Sequence, residues 1–216
     1  MTSLSACHLY AILDLGYVEP ADASRVTRAM IAGGVDIIQL RAKRESVSAI
    51  TALARELHRQ TSAAQVPLVI NDYAQIARDV GAEGVHVGQD DISIADVRRI
   101  LGPYGFVGKS THSREQAKEA AVEGADYIGF GPLFATPTKP DYVPIGLEEI
   151  AAVHAAVTSP IFCIGGIKLH NLPAVLAAGA RRAVIVSELL QARDIAEYAR
   201  SAKALLQQQP QIESPI

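Results

Sequence analysis

The stretch Asp36-Ile37-Ile38-Gln39-Leu40-Arg41-Ala42-Lys43 decides the fold. Its apolar run is short and continuous, which is typical of a parallel strand that is buried on both faces. Cationic side chains follow at the point where this run ends. A pattern with apolar residues at helical spacing comes next, over residues 46–62. The stretch therefore predicts a strand-helix unit with polar chemistry at the carboxyl end of its strand.

This unit occurs eight times along the chain. The apolar runs begin at Leu9, Asp36, Pro67, Gly84, Phe106, Asp126, Pro160 and Ala183, and a helical pattern follows each of them. Eight buried parallel strands with helical crossovers predict an α/β fold, a single (β/α)8 TIM barrel, with a doubly wound open sheet as the alternative. The chain has no linker, so one domain is expected over residues 1–216, with a loosely ordered tail at about 208–216.

Composition excludes several classes of protein. The chain has 216 residues, of which 49% are hydrophobic and 20% charged, and this balance excludes a disordered chain. A net charge of -3 gives no basic field for nucleic acid, and the apolar runs are too short to span a membrane. A cytoplasmic location is expected, with Cys7 and Cys163 as unpaired core residues. The oligomeric state stays open, with a homodimer as one option.

Polar residues gather where the predicted strands end. Because the carboxyl ends of all eight strands meet on one face of a barrel, these side chains are expected to surround one site. The set consists of Gln39, Arg41, Lys43, Asn71, Asp72, Asp91, Ser110, His112, the loop 136–139, Gly165-Gly166 and Val186-Ser187.

Asp72 and Asp91 each come directly after an apolar run and could share one Mg²⁺. That ion is usually held by one or two carboxylates, with phosphate oxygens and water completing its coordination. Arg41, Lys43 and Lys139 could then neutralise the rest of a diphosphate. The alternative is that both aspartates only cap the helices that follow them.

The loop Gly129–Asp141 combines glycines, prolines, hydroxyls and Lys139, which suits a rigid anion-binding loop. A solvated surface connection is the alternative. Its continuation through Pro140, Tyr142 and Pro144 predicts a lid that excludes water.

A second anion site is expected at Gly165-Gly166 and Val186-Ser187. Loops after the seventh and eighth strands of this barrel often bind a monophosphate through backbone N–H groups. Glycine lets the backbone approach a phosphate closely, although an ordinary turn uses such a pair as well.

Six short motifs, in this order, carry a resemblance to a known family. They are Gln39–Lys43, Ile70–Asp72, Gly84–Asp91, Ser110–His112, Gly129–Pro132 with Thr136–Lys139, and Ile164–Ile167. From about Tyr10 to Ala192 the chain resembles the thiamine-phosphate synthase family. The resemblance implies a transferase of thiamine biosynthesis. It joins 4-amino-2-methyl-5-(diphosphooxymethyl)pyrimidine to a thiazole phosphate, 4-methyl-5-(2-phosphoethyl)thiazole or its carboxylated form, and yields thiamine phosphate and diphosphate.

The resemblance also implies residue roles and a dissociative displacement, in which diphosphate departs before the thiazole nitrogen attacks. Mg²⁺ is assigned to Asp72 and Asp91, and the catalytic residues are Arg41, Lys43, Ser110 and Lys139. The pyrimidine diphosphate is assigned to Gln39, Leu40, Arg41, Ala42, Lys43, Asn71, Ser110 and Lys139, and the thiazole phosphate to Thr136, Pro137, Thr138, Gly166, Val186 and Ser187.

Two histidines and two rival functions stay open. His86 is expected in the core or behind the site, His112 is expected to line the site, and Asp14 could support its rim. The nearest rival is a thiazole tautomerase with the same barrel, which would need neither the aspartate pair nor the Thr136–Lys139 loop. The other is a non-catalytic sensor of a phosphorylated ligand, because a fold does not determine function.

Overall fold

The computed structural model describes residues 3–103, 105–136 and 143–208. Eight parallel strands close into a barrel, each hydrogen-bonded to its neighbours in chain order. The strands are β1 Leu9–Asp14, β2 Ile37–Arg41, β3 Leu68–Asn71, β4 Gly84–Val87, β5 Phe106–Thr111, β6 Tyr127–Phe130, β7 Ile161–Cys163 and β8 Ala183–Ile185. The predicted (β/α)8 barrel is confirmed, and the open-sheet alternative is wrong because β8 pairs with β1.

Helices connect the strands on the outside of the barrel. They are α1 Ala23–Ala32, α2 Val47–Ala63, α3 Ala74–Val80, α4 Ile94–Leu101, α5 Arg114–Val122, α6 Ile150–Ala156, α7 Leu172–Ala177, α8 Ser187–Leu190 and α9 Ile195–Gln207, with 3₁₀ turns at Leu4–Ala6 and Pro20–Asp22. The sequence pattern predicts helices over residues 147–157 and 169–178, so both predicted starts lie three residues before the starts of α6 and α7. For α7 the reason is Pro173, which lies in the first turn of the helix, where its missing N–H costs nothing. The short helix α8 was not predicted.

The predicted tail at residues 208–216 is only partly within the described chain. Gln208 follows α9 directly and its N–H donates to the carbonyl of Leu205, as expected at a helix end. Residues 209–216 lie outside the described residues.

Side chains alternate between two apolar layers. On β1, Leu9, Ala11 and Leu13 belong to the layer between barrel and helices, whereas Tyr10 and Ile12 belong to the cluster that fills the barrel. The other buried members of the inner cluster are Cys7, Ile37, Val69, Tyr127, Phe162 and Val184. Both faces of each strand are thus covered, which explains why the sequence shows continuous apolar runs.

Aromatic rings fill the middle of the barrel, and two glycines make room for them. The ring of Phe162 lies edge-on to Tyr10 and Tyr127, with centroid distances of 5.5 and 5.6 Å. A Cβ at Gly108 would lie 2.0 Å from Cζ of Tyr127, and a Cβ at Gly84 would lie 2.4 Å from Cε2 of Phe106. Any larger residue at these two positions would displace a ring from the barrel interior.

The two cysteines are buried and unpaired, as predicted. Within residues 3–103, 105–136 and 143–208, no helix combines the length and apolar character that crossing a bilayer requires.

His154 on α6 gives the fold a testable response to acid. Within the described ranges its Nε2 is buried without a hydrogen-bond partner. Burial lowers the pKa of His154 from 6.5 to about 4, helped by the charges of Arg181 and Arg182. Between these two values the unfolded chain binds a proton that the folded chain does not, so stability falls as the pH falls through this window.

We therefore expect the wild type to lose up to about 3 kcal/mol more unfolding free energy than His154→Leu between pH 7 and pH 4. Urea denaturation at a series of pH values measures this difference. His170→Leu, which removes an exposed histidine, is the control and should follow the wild type. Parallel pH profiles for the wild type and His154→Leu would contradict the expectation.

Candidate active site at the carboxyl ends of the strands

A pocket opens where the strands end, and it gathers residues from all parts of the chain. The predicted residues that line it are Gln39, Arg41, Asn71, Ser110, His112, Thr136, Gly165, Gly166, Val186 and Ser187. His86, Pro132 and Ile164 line it as well. Leu40 and Ala42 are only 1% and 5% exposed and pack into the outer apolar layer, so their side chains do not face the pocket. Any contact from these two residues to a ligand would have to come from the backbone.

Arg41 is held in place by a buried carboxylate. Asp14, only 2% exposed, accepts a hydrogen bond of 2.6 Å from Nη1 of Arg41 through Oδ2. Its other oxygen accepts from the N–H of Gly16 at 2.9 Å. A buried charge is tolerated when it is paired and hydrogen-bonded, and both conditions are met here. Asp14 thus has the supporting place that its position at the end of the first strand suggested.

Asp72 and Asp91 lie side by side at the ends of β3 and β4. Asp72 forms an ion pair with Lys43 and also interacts with the carboxylate of Asp91. Oδ2 of Asp91 accepts a hydrogen bond of 2.7 Å from the N–H of Gly88. The backbone of Asp72 is left-handed, with φ of 65°, a conformation that aspartate adopts more readily than most residues.

The alternative that these aspartates cap helices is wrong. The N-cap of α3 is Tyr73, which forms no side-chain cap. The N-cap of α4 is Ser93, whose hydroxyl accepts from the N–H of Asp96. Helix capping therefore does not explain why an aspartate stands at either position.

The electrostatics of the aspartate pair favour a cation. Burial raises the pKa of the Asp72 carboxyl; Lys43 lowers that pKa and the adjacent Asp91 raises it further. No group of three or more His, Cys, Asp or Glu side chains suited to a metal occurs among the described residues. A pair of hard carboxylate ligands does fit Mg²⁺, which commonly takes one or two carboxylates from the protein.

The glycine pair after β7 is required by its surroundings. Gly165 and Gly166 have φ of +97° and +65°, in the left-handed region that favours glycine. A Cβ at Gly165 would lie 2.4 Å from Cα of Pro132, and one at Gly166 would lie 2.7 Å from Cβ of Phe134. In the described part of the chain, the N–H groups of Gly166 and Ser187 donate no hydrogen bond. Both residues line the pocket, so two backbone donors are available there for an anion.

A chain of hydrogen bonds runs through the barrel interior from Gln39 on β2 to Ser110 on β5. Nε2 of Gln39 donates to the hydroxyl of Tyr10 at 2.6 Å, and the hydroxyls of Tyr10 and Tyr127 are 2.9 Å apart. The imidazole of His86 lies between Tyr127 and Ser110, with Nδ1 2.9 Å from the Tyr127 hydroxyl and Nε2 2.8 Å from Oγ of Ser110. The sequence did not single out Tyr10 or Tyr127 as site residues.

His112 lines the pocket as expected, and local hydrogen bonds orient it. The ring nitrogen Nδ1 of His112 forms a hydrogen bond with the carbonyl of Gly131. The backbone N–H of His112 donates to Oε1 of Gln116 at 2.7 Å. The N–H of Gln116 donates in turn to Oγ of Ser113, which is the N-cap of α5. Ser113 thus fixes the start of α5 next to His112.

Part of the predicted loop is outside the described residues. This applies to Pro137, Thr138 and Lys139, and to Pro140 and Tyr142 of the predicted lid. The roles assigned to them stay predictions.

The fold and the pocket together define a (β/α)8 barrel with a ligand pocket at the carboxyl ends of its strands. Comparison with known proteins narrows this class. The model of a family described as thiamine monophosphate synthase matches residues 9–189, and the chain belongs to this family.

Curated relatives agree with this placement over nearly the whole chain. The thiamine-phosphate synthase of Shouchella clausii is 42% identical over 204 residues, which cover 94% of this chain and 98% of the relative. The thiamine-phosphate synthase of Halalkalibacterium halodurans is 40% identical over 201 residues, which cover 93% and 95%. A solved structure of thiamine phosphate pyrophosphorylase from Pyrococcus furiosus is 29% identical with a TM-score of 0.84, covering 93% of this chain and 95% of that one.

A matched pair of substitutions tests the crowding at the glycine pair. Gly165 and Gly179 have similar φ of +97° and +102°, but a Cβ at Gly179 would lie no closer than 3.5 Å to its neighbours. Alanine at either position introduces backbone strain, and only at Gly165 does it also overlap another loop. We expect Gly165→Ala to cost about 1–3 kcal/mol more unfolding free energy than Gly179→Ala. Equal losses in denaturant titrations would contradict the packing described here.

Proposed function

We propose that this chain transfers the 4-amino-2-methylpyrimidin-5-ylmethyl group from its diphosphate to the nitrogen of a thiazole phosphate, and so makes thiamine phosphate. Membership of the family supports the reaction. The observation that carries the proposal is the pocket itself. The guanidinium of Arg41, fixed by Asp14, lies on one side, and on the other lie the N–H groups of Gly166 and Ser187, which have no partner among the described residues. Such a pocket suits two phosphorylated substrates.

We assign the diphosphate to the side formed by β2, β3 and β5. Arg41 supplies a fixed positive charge because Asp14 already holds it before any ligand arrives. Asn71 and Ser110 line the same pocket and offer an amide and a hydroxyl as neutral donors. Lys43 lies beside Asp72 and contributes a second cation, while the role of Lys139 is carried over from the family motif.

We assign the thiazole phosphate to the opposite side. The N–H groups of Gly166 and Ser187 and the hydroxyls of Thr136 and Ser187 suit three phosphate oxygens. The carbons of Ile164 and Val186 line the pocket nearby and suit the apolar thiazole ring. The carboxylated form of the thiazole would have to fit the same space.

Asp72 and Asp91 would hold Mg²⁺, which supplies Lewis-acid stabilisation of the negative charge on the departing diphosphate. The fit is supported by the direct interaction of the two carboxylates and by the ammonium group already paired with one of them.

The chemistry asks mainly for charge stabilisation and alignment. The C–O bond between the pyrimidine methylene and the diphosphate breaks, and the diphosphate leaves with the electron pair. The thiazole nitrogen then donates its lone pair to the methylene carbon and forms the C–N bond. Neither step transfers a proton, so His86 and His112 need not act as bases. Arg41 and Ser110 would stabilise the leaving anion, and the shared pocket holds the two reactants together.

Incubation of the pure chain with both substrates and Mg²⁺, with assay of thiamine phosphate and diphosphate, tests the proposal. Production of both compounds in equal amounts is expected. A sensor would bind a phosphorylated ligand and release no diphosphate, and a thiazole tautomerase would isomerise its substrate without the pyrimidine. Either of those results would contradict the proposal.

The metal assignment has a neighbouring control. We expect Asp91→Asn to lower Mg²⁺-dependent turnover by about a hundredfold or more, because the ion contributes several kcal/mol to charge stabilisation. Asp90→Asn changes an adjacent exposed aspartate and should behave like the wild type. Mn²⁺ binding followed by electron paramagnetic resonance gives a readout without turnover. Unchanged Mn²⁺ affinity in Asp91→Asn would exclude this residue as a ligand.

The division of the pocket into two sides is tested by a reciprocal pair. Arg41→Ala should raise KM for the pyrimidine diphosphate by at least about tenfold with little effect on KM for the thiazole phosphate, as expected on loss of a charge-assisted hydrogen bond. Ser187→Ala should show the reverse preference with a smaller change. Steady-state kinetics with each substrate varied in turn measures both. Equal effects on the two substrates in both variants would show that the assignment of sides is wrong.

A further inference from the structure

The hydrogen bonds inside the barrel form a continuous relay with two ends in the pocket. The order is Gln39, Tyr10, Tyr127, His86 and Ser110, with donor-acceptor distances between 2.6 and 2.9 Å. Gln39, His86 and Ser110 line the pocket, whereas Tyr10 and Tyr127 are fully buried behind it. The relay therefore connects Gln39 on β2 to Ser110 on β5 through two buried side chains.

Each tyrosine in the relay has a single hydrogen to donate. Burial raises the pKa of Tyr10 and of Tyr127 well above the ordinary value, so both phenols stay protonated throughout the working pH range. A phenol with one O–H can donate once and accept through its lone pairs. A chain of such groups has a direction, because the donor at one link determines the donor at the next.

The direction is set at Gln39. Its Nε2 can only donate, so the Tyr10 oxygen is the acceptor of that bond. Because a buried hydroxyl hydrogen without an acceptor is costly, we assign the hydrogen of Tyr10 to the oxygen of Tyr127, which leaves the hydrogen of Tyr127 for Nδ1 of His86. Nδ1 must therefore be the unprotonated nitrogen of a neutral imidazole.

The remaining imidazole hydrogen determines the state of Ser110. With Nδ1 as acceptor, the ring carries its hydrogen on Nε2, which donates to Oγ of Ser110. Ser110 has then accepted a hydrogen bond from inside the barrel and has its own O–H left to donate. Because Ser110 lines the pocket, that hydrogen is available to a ligand oxygen.

We propose that Tyr127 and His86 are positioning residues that fix the hydroxyl of Ser110 as a hydrogen-bond donor to an anionic oxygen of the ligand. The proposal rests on the proposed function, in which the leaving diphosphate supplies that oxygen. A serine without such a partner behind it could rotate and would accept as readily as it donates. The relay removes this freedom before the substrate binds, which is the condition for preorganised stabilisation of developing charge.

The glycines around the relay indicate that the barrel is shaped to accommodate it. The Tyr127 ring covers Gly108 so closely that a Cβ there would lie 2.0 Å from Cζ. A Cβ at Gly129 would lie 3.3 Å from Cε1 of His86, close to the limit of normal contact. The absence of side chains at these two inward positions makes the path from Tyr127 to Ser110 through His86 sterically possible.

The first test is the tautomer of His86, read from ¹⁵N and ¹H correlation spectra of the full chain labelled at histidine. The His86→Gln variant assigns the signal. We expect a neutral ring with hydrogen on Nε2 in the wild type, and a loss of this preference in Tyr127→Phe. A ring with hydrogen on Nδ1, or a doubly protonated ring at pH 7, would overturn the proposal. This measurement needs no substrate, so it decides the relay even if the chain lacks the proposed activity.

The second test is a double-mutant cycle between Tyr127→Phe and Ser110→Ala. Tyr127→Phe keeps the ring and should lower kcat/KM for the pyrimidine diphosphate about tenfold, the size of effect that one hydrogen bond accounts for. KM for the thiazole phosphate should not change. If Tyr127 acts through Ser110, the double variant should be no slower than Ser110→Ala alone. Independent, multiplicative losses would overturn the proposal.

A control distinguishes a positioning role of Tyr127 from the general destabilisation that follows the loss of any buried hydroxyl. Thr61 on α2 is fully buried, and its Oγ1 donates to the carbonyl of His58 outside the barrel. Thr61→Val should lower stability without changing either kinetic constant. A matching loss of kcat/KM in Thr61→Val would show that general destabilisation explains the result, and would count against the relay. If Tyr127→Phe does not fold, Tyr10→Phe breaks the same relay one link earlier, and the same cycle with Ser110→Ala applies.

Discussion

The interior of a closed eight-strand barrel has to be filled, and this requirement underlies the rest of the structure. Here the rings of Tyr10, Tyr127 and Phe162 occupy the middle, and glycine at positions 84 and 108 leaves the necessary room. Two of these rings carry hydroxyls, which would be costly to bury without partners. The same packing that closes the barrel therefore creates a buried polar chain, and its ends come out in the floor of the pocket.

Local ion pairs hold the cations of the site in place, in a chain that is slightly acidic as a whole. Arg41 lies against a buried carboxylate, and Lys43 against one that is partly buried. Each ion pair fixes the position of the cation and partly neutralises its charge. A ligand with several negative charges would be accommodated through the Mg²⁺ that we propose for Asp72 and Asp91, next to the same cations. The site thus combines both signs of charge within one rim, without a large electrostatic field around the molecule.

The strand ends could be predicted from the sequence because a parallel barrel brings every carboxyl end to the same face. Arg41, Asn71, Ser110 and Ser187 follow from that rule alone. Tyr10 and Tyr127 do not, because strands covered on both faces show no alternation that would reveal which residues point inward. The choice between helix cap and metal ligand at Asp72 was also open, since aspartate after a strand is typical of both. The structure excludes the helix cap, because the N-cap positions of α3 and α4 fall at Tyr73 and Ser93, and the metal role stays a proposal. The four-residue helix α8 is too short for periodicity to indicate.

The register of the first two strands has a consequence for how errors in folding would affect the site. In the observed pairing Asp14 lies opposite Arg41, and Ile12 lies opposite Gln39. A slip of β2 by one residue would turn Gln39 and Arg41 toward the helices and bring Leu40 into the barrel. The guanidinium of Arg41 would then lie in the apolar layer between the barrel and the helices. It would be separated from Asp14, the one carboxylate that pairs with it among the described residues. A misaligned chain would thus be destabilised by the same charge that we assign to ligand binding, so selection for a working pocket would also be selection for correct assembly of the sheet.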